Sequence, residues 1–460
     1  MVETTGSIGK RGAVGRDWTE GSIIQNLWLL SWPVIVLMAL YSVNLILELI
    51  WVGKLGPASI AGVGVGGFVV LLVLSVKSGL GAGERAMVAR FIGAGEAAAA
   101  NHIAGQCFLI SAAYGALITL IGALFTGPII GLFGLEAETA AEGILYLRIV
   151  LIGWITEAFW MTSFSVMQAS GDSLTPMKIA IIIRVVNAAV CPFLVLGGWI
   201  IPRMGVSGAA ITYIVATGLG MAICLWALFT GQTRLRLTLK DFYPDPQAMW
   251  RILKVGLPVS LMGLGKAFGD LILTWLLIPF GTTALAAHNI ISRIESFINT
   301  PSTGLGTGAG VLVGQNLGAR QAKRASRSGW LAMGLVAGFM ICCSVVLLLL
   351  SENIIRFFTA DPDLVKLGAL FLRIATAGYL GLCIVLTMQY CIPGSGDTLA
   401  PMFITIGALW VVLLPLAYLL SRFTGLGVYG VRWAIVIGFT VGAIAYITYF
   451  WKGRWKRKKV

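Results

Sequence analysis

Apolar runs long enough to cross a bilayer recur along the whole chain, and this repetition restricts the fold more than any motif does. About twelve runs of roughly 20 residues lie near 26–52, 58–82, 103–126, 143–167, 178–200, 206–230, 254–279, 283–308, 329–351, 366–391, 400–421 and 427–451. Short Gly, Pro or charged breaks separate them. A chain of 460 residues with 58% hydrophobic and 11% charged side chains lacks the polar surface to enclose a water-soluble core. The expected fold class is an all-α integral membrane protein of twelve transmembrane helices.

The N-terminus, MVETTGSIGKRGAVGRDWTEG, is polar and glycine-rich and runs into a full span, so a cleaved secretory signal is not expected. Cys107, Cys191, Cys224, Cys342, Cys343, Cys383 and Cys391 all fall inside apolar runs without ligand spacing, which indicates neither a zinc site nor a disulfide framework. His102 and His288 lie far apart at helix margins, where an interfacial or packing role is expected rather than metal binding. No metal and no cofactor is predicted.

Lysine and arginine set the expected orientation, because their excess marks the cytoplasmic side. The N-tail, 84–101, Lys178, 231–254, 314–328 and the C-tail hold most of them, whereas the other side has Lys54, Arg203, Arg356, Lys366 and Arg422. Both termini are therefore expected in the cytoplasm. The net charge of +14 needs no nucleic-acid partner, since Lys452 to Lys459 can sit against anionic headgroups, which makes membrane lipids the expected partner.

The chain also repeats itself. QASGDSLTPM at 168–177 returns as SGDTLAPM inside IPGSGDTLAPM at 392–402, with Gly171 and Gly396 lying 225 positions apart. The same offset aligns Pro33 with Pro258, Gly56 with Gly281, SGLGAG (78–83) with TGLGTG (303–308), Arg148 with Arg373 and Pro176 with Pro401. After a three-residue gap GVSG (205–208) meets GVYG (427–430). Two copies of one six-span unit, each with an even number of spans, share one orientation about an axis along the membrane normal and suit alternating access around a central cleft. The expected organisation is an N-tail (1–25), an N-lobe (26–230), a basic proline-containing linker (231–253), a C-lobe (254–451) and a basic C-tail (452–460).

WVGKLG (51–56), ALAAHNIISRIESF (284–297), LVGQNLGARQAKRA (312–325) and the paired SGDSLTP and SGDTLAP together resemble the prokaryotic multidrug and toxic compound extrusion (MATE) transporters. The resemblance spans about residues 24 to 451. It implies two pseudo-two-fold-related six-helix bundles around a V-shaped cavity, and export of amphipathic, often cationic small molecules in exchange for protons or sodium ions.

The duplication sorts the polar residues. A charge present in one copy only is free to do asymmetric chemistry, and the unduplicated acids are Glu48, Glu157, Asp270 and Glu295, against Leu273, Leu382, Leu45 and Val70. The unduplicated cations include Lys77, Arg184, Lys266 and Arg293. A lipid-facing charged acid at mid-bilayer costs about 2.5–3.5 kcal/mol, so each should face a cavity, pair with a cation or carry a proton. Glu48 is the first candidate for cation coupling: it stands five residues before Gly53, where the resembled family has an Asp in D-x-x-x-x-G. The longer side chain favours protonation over sodium coordination. The competing reading pairs Glu48 with Lys77.

The family's fifth helix reads N-x-x-x-D, and here it supplies Asn187 but Cys191 in place of the Asp. Coupling then rests on Glu48 with Asn187 and Arg184 or Glu157, or moves to Asp270 and Glu295 in the C-lobe. Asp270 is equally an ion pair with Lys266 one turn earlier, and Glu295 equally a lock between helices.

Trp32, Tyr41, Asn44, Met161, Cys191 and Arg184 are the candidate substrate-cavity residues, with Trp51, Trp154, Trp160 and Met167 able to add apolar surface. Aromatics also belt membrane interfaces. The hairpin residues Gly171, Asp172, Pro176, Gly396, Asp397 and Pro401 read as turn and cap chemistry, structural or gating rather than ion-binding. A lipid or lipid-linked oligosaccharide flippase is the alternative, for which Arg148, Arg184, Lys77 and Lys266 would supply a phosphate-seeking cavity. No nucleophile and base, metal spacing or phosphate loop points to an enzyme. One chain holding both lobes is expected to act as a monomer.

Overall fold

Turn and cap residues set the helix boundaries, and the apolar runs fill the rods between them. The structure, a computed structural model, describes residues 16–198 and 202–458. Most of the expected N-tail, and Lys459 and Val460 of the basic C-tail, lie outside the described residues. The helices are α1 (Ile23–Gly53), α2 (Pro57–Gly93), α3 (Ala97–Gly131), α4 (Ala137–Ile152), α5 (Trp154–Ser170), α6 (Leu174–Leu196) and α7 (Val206–Thr230). They continue with α8 (Pro246–Leu277), α9 (Thr282–Gly318), α10 (Ala322–Phe358), α11 (Pro362–Cys391), α12 (Leu399–Ile406), α13 (Leu414–Phe423) and α14 (Val428–Lys452). α4 and α5 form one span bent by 51° at Gly153. α12 and α13 form another, joined through the π-helical segment Gly407–Leu413. The described residues thus make the expected twelve spans, six in each lobe.

Several rods outrun the apolar runs that announced them. α2 and α9 each have 37 residues, roughly 55 Å of helix, against about 30 Å of hydrocarbon. Their polar ends continue past 82 and 308 to Gly93 and Gly318. α8 starts at Pro246 rather than at the expected 254, because Asp245 caps it: its carboxylate accepts from the amides of Gln247 (2.9 Å) and Ala248 (3.1 Å), and Pro246 fits the first turn.

The duplication is visible in backbone torsions. The glycines before α2 and α9 share an unusual conformation (Gly56 φ 125°, Gly281 φ 89°), as do those before α7 and α14 (Gly205 φ 59°, Gly427 φ 52°). In the repeated hairpin phrase Gly171 (φ 95°) and Gly396 (φ 86°) are both left-handed, a region an L side chain enters at a cost of roughly 1–2 kcal/mol.

Glycine also lets the lobes touch. A Cβ on Gly83 would meet the backbone of Ile252 and Gly256, and one on Gly93 or Gly318 would overlap the facing main chain of Gln315 or Arg90. Ser260 Oγ donates to Val76 O (2.8 Å), and Gln315 Nε2 donates to Ala169 O (2.8 Å). Those made by α2 run toward its C-terminal end, on the side that carries both described chain ends.

Both chain ends reinforce that seam. Trp18 is buried among Leu27, Leu30 and C-lobe residues, with its indole against Gly171. Arg324 of α10 donates to Glu20 O (2.7 Å) and Gly21 O (2.9 Å). At the other end Trp455 stacks on Phe450 at 4.7 Å. Arg90 of α2 reaches across to Ser395 O (3.1 Å) and Lys458 O (2.9 Å). Part of the basic C-tail therefore packs on protein, while Lys452, Arg454 and Arg457 stay exposed.

Candidate functional site

Beyond the seam the lobes enclose a cavity of about 430 Å³, large enough for a drug-sized molecule. At the end nearer the seam it is lined by Arg85, Gln168 and Gly394, and its walls run through Tyr41, Leu71 and Glu157 on one side and Met262, Lys266 and Gln389 on the other. Trp160, Met161, Phe164 and Leu386 supply apolar surface.

The N-lobe wall carries a polar cluster built from four elements. α1 presents Tyr41 and, two turns on, Glu48; α5 presents Glu157 just after the Gly153 bend; α6 presents Arg184. The Arg184 guanidinium lies over the Tyr41 ring at 5.1 Å. Tyr146 of α4 donates to Glu48 Oε1 at 3.2 Å. Arg184 stands within electrostatic range of both Glu48 and Glu157. One oxygen of Glu157 is buried without a hydrogen-bond partner.

Of the candidate cavity residues, Tyr41, Met161 and Arg184 line the cavity, and so does Glu157. Trp32, Asn44 and Cys191 do not. Cys191 packs with Val52, Val195 and Ala209, and Asn44 is buried in the N-lobe. Both keep nearly the same helix face as Arg184 and Tyr41, two turns and one turn away; what differs is their place along the helix, where neighbouring N-lobe helices cover them. Glu48 and Asn187 sit behind the wall rather than in it.

Lys77 does not pair with Glu48. Its ammonium bonds Glu84 Oε1 at 2.7 Å and Thr162 Oγ1 at 2.8 Å, with all three side chains buried. Thr162 in turn meets Ser111 at 2.5 Å. Glu84 and Arg85 were not among the sequence candidates, although both are unduplicated, facing Ala309 and Gly310 in the other copy. They lie just past the expected end of their span at 82, where a charge reads as a solvated loop.

The C-lobe acids are elsewhere. Glu295 meets Arg432 of α14 at 3.8 Å, beside Tyr379 in a separate small pocket. Arg432 also lies over Phe371 at 5.0 Å and donates to His288 O at 3.4 Å, so this pair locks α9 to α11 and α14. Asp270 is exposed and lies outside the cavity lining, and the ion pairs among the described residues do not join it to Lys266. In the hairpins Asp172 accepts from Thr175 N at 3.0 Å as a cap should. Asp397 instead takes the Tyr449 hydroxyl and Lys458 Nζ (3.5 Å).

Residues 33–193 and 258–419 each match the MatE family model, so both copies of the repeat are recognised separately and together they cover most of the chain. The chain belongs to the MatE family. Among curated relatives, the Probable multidrug resistance protein NorM of Thermotoga maritima is 26% identical over 415 residues, covering 89% of this chain and 88% of the relative. The Probable multidrug resistance protein YoeA of Bacillus subtilis is 23% identical over 449 residues, 96% of each chain. A solved structure of a multidrug resistance MATE family transporter of the MOP superfamily, in its outward-facing conformation, superposes with a TM-score of 0.89 at 24% identity, covering 96% of this chain and 98% of that one. A MOP superfamily transporter from Pyrococcus furiosus superposes equally well, TM-score 0.89 at 23% identity, covering 98% and 99%. At these identities the structural matches establish the MatE fold: a multi-pass membrane protein with two six-helix bundles and a central cavity.

Proposed function

We propose that this MatE protein exports amphipathic small molecules in antiport with protons, with Glu157 as the coupling acid at the cavity wall and Glu48 as its partner behind it. The observation that supports the reading is charge balance: Glu48 and Glu157 both stand within electrostatic range of one guanidinium, Arg184, and neither makes an ion pair among the described residues, while Lys77, also in range of Glu157, is bonded to Glu84. One guanidinium neutralises one carboxylate. In a low-dielectric wall the second is stable when it holds a proton.

The groups around these acids suit a proton better than sodium. A hard cation needs several oxygen ligands, and Glu48 accepts from the Tyr146 phenol with a guanidinium, Arg184, in electrostatic range. Protonation of Glu157 would remove the charge that holds a cationic group in the cavity, so proton entry and substrate release are linked with the sign antiport requires. The names of the curated relatives, multidrug resistance proteins, support export of varied compounds.

The basic seam, where Arg90, Arg234, Arg324 and the C-tail cluster, supports a cytoplasmic placement of both ends, and the bacterial relatives support a plasma-membrane location. Each chain holds both cavity walls, so we expect a working monomer; a dimer persisting under cross-linking at low concentration in detergent would overturn that.

The test is dye efflux from proteoliposomes under an imposed proton gradient and, separately, a sodium gradient. Proton-driven efflux lost in Glu157→Gln supports the reading, whereas efflux driven by sodium alone overturns it. Dye movement or lipid scrambling that needs neither gradient would favour a flippase. That alternative keeps less of its basis in this fold, since Arg148 is exposed on the outer face of α4 and Lys77 is neutralised.

A further inference from the structure

We infer that the segment joining the lobes, 231–254, carries a docking surface for anionic phospholipid headgroups, in the leaflet on the side of both described chain ends. Such a surface is separate from the cavity and from the ion that drives transport.

The segment holds five cations, Arg234, Arg236, Lys240, Arg251 and Lys254, and two acids, Asp241 and Asp245. The fold puts the two signs to different uses. Asp241 accepts from Thr238 N at 2.7 Å and from Thr238 Oγ1 at 2.8 Å, while Asp245 caps α8 and meets His102 Nε2 at 3.5 Å. Arg234 turns inward to Ser170 O and Arg16 O. Arg236, Lys240, Arg251 and Lys254 are exposed, and none of the four takes part in an ion pair among the described residues.

Backbone periodicity explains why they face outward. Along 232–238 Thr233, Leu235 and Leu237 are buried while Gln232, Arg236 and Thr238 are exposed, the two-residue alternation of extended chain lying on an apolar face. In the first turns of α8 the period is helical: Gln247, Trp250, Arg251 and Lys254 are exposed at i, i+3, i+4 and i+7, and Ala248 and Ile252 are buried in the N-lobe core. The turn between these stretches is pinned. Gln106 Nε2 of α3 donates to Asp241 O (3.0 Å) and Tyr243 O (2.8 Å), its Oε1 accepts from Asp245 N (2.9 Å), and Phe242 packs between Phe108 and Phe229. A Cβ on Gly105 would overlap the Asp241 main chain.

Large apolar groups stand among the exposed cations: Leu239 is 84% exposed, Tyr243 78% and Trp250 61%. A soluble anion would satisfy the cations alone and leave these three wet. A membrane interface takes both, because aromatic rings sit at headgroup level and basic side chains meet anionic phosphates. The depth fits. Gln106, which pins the turn, lies at the start of the apolar run 103–126, and Trp250 and Arg251 stand about one turn before the run that begins at 254. The surface also covers the point where the chain passes between lobes, since Ala248 and Ile252 of α8 belong to the N-lobe core while Leu273, Leu276 and Leu277 pack with C-lobe residues.

The test titrates purified full-length protein in detergent with phosphatidylglycerol, phosphatidylcholine or soluble glycerol phosphate. Bound molecules are counted by native mass spectrometry, and melting temperatures check that each variant is folded. Phosphatidylglycerol should bind at least about fivefold more tightly than phosphatidylcholine, and Arg236→Gln, Lys240→Gln, Arg251→Gln and Lys254→Gln should each weaken it about fivefold, the factor expected of one basic residue at an anionic surface. Arg251→Lys should keep the affinity, as should Arg454→Gln combined with Arg457→Gln in the exposed C-tail. Equal binding of the two lipids, a preference that survives removal of all four cations, or one lost in the C-tail variant instead would overturn the proposal. Glycerol phosphate binding as tightly as the lipid would overturn it too, leaving a site for free anions only.

Discussion

The two lobes are copies of one six-span unit, yet their inner walls differ in almost every charged position. Where the N-lobe has Glu48, Glu157 and Arg184, the equivalent C-lobe positions hold Leu273, Leu382 and Leu409. Where the C-lobe has Lys266, the N-lobe has Tyr41. The breaks differ as well: the N-lobe bends at Gly153 beside Glu157, while the equivalent Gly378 sits inside the continuous α11. The C-lobe breaks instead at the π-helical 407–413, where Trp410 Nε1 donates to Gly265 O at 3.2 Å. Duplication preserved caps and packing glycines, which any copy needs to fold. It left the cavity walls free to diverge, and the acids gathered on one side.

The largest effect expected from this asymmetry is functional. Glu157→Gln should cut proton-driven efflux by at least about tenfold, the rate equivalent of about 1.4 kcal/mol, whereas Leu382→Gln at the same place in the C-lobe should leave it near wild type; comparable losses would erase the distinction between the lobes. Next is stability. Lys77→Ala strands Glu84 in a dry site and should cost about 3–5 kcal/mol. Arg432→Ala should cost less, because Glu295 keeps 22% of its side chain exposed and its pair is longer at 3.8 Å against 2.7 Å. Denaturation midpoints in detergent for the two variants rank them.

A smaller difference separates the duplicated glycines. Both Gly171→Ala and Gly396→Ala force a side chain into the left-handed region, at roughly 1–2 kcal/mol each, and at Gly171 the new methyl would also strike the Trp18 indole. Gly171→Ala should therefore lower the melting temperature by more than the torsional cost alone, and the loss on adding Trp18→Ala should be less than additive. The smallest effect is expected at Arg90, which joins α2 to the C-lobe hairpin and C-tail through two carbonyls. Arg90→Ala should loosen the closed seam without abolishing transport, seen as faster labelling of a cysteine placed at Ser395.

Much of the scaffold was legible in the chain. Twelve spans follow from apolar length, because hydrocarbon demands helices of about 20 residues. The twofold organisation follows from glycines and prolines that recur at one spacing, because their backbone demands cannot be met by other residues. Glu157 and Arg184 were legible as charges present in one copy only. Sequence pattern did not separate Tyr41 from Asn44, or Arg184 from Cys191, since these sit a turn or two apart on nearly the same face of helices that also expose apolar side chains such as Val43, Val185 and Phe193, so that no amphipathic stripe marks the cavity face. It also hid Glu84 and Arg85, which follow the apolar run but remain inside the helix.

Most pairing belonged to the tertiary structure. Lys77 could have met an acid on a neighbouring helix; it bonds Glu84 two turns along its own helix, α2, and the packing of α2 against α5 adds Thr162, so Lys77 is withdrawn from the acids around Arg184. Local sequence determined which segments are helical and that they come in two sets, because those outcomes depend on hydrophobic length and backbone torsion. Which charges meet depends on rotation and depth between helices far apart in the chain, and in a low-dielectric interior a shift of a few ångströms decides whether a carboxylate is paired or must hold a proton.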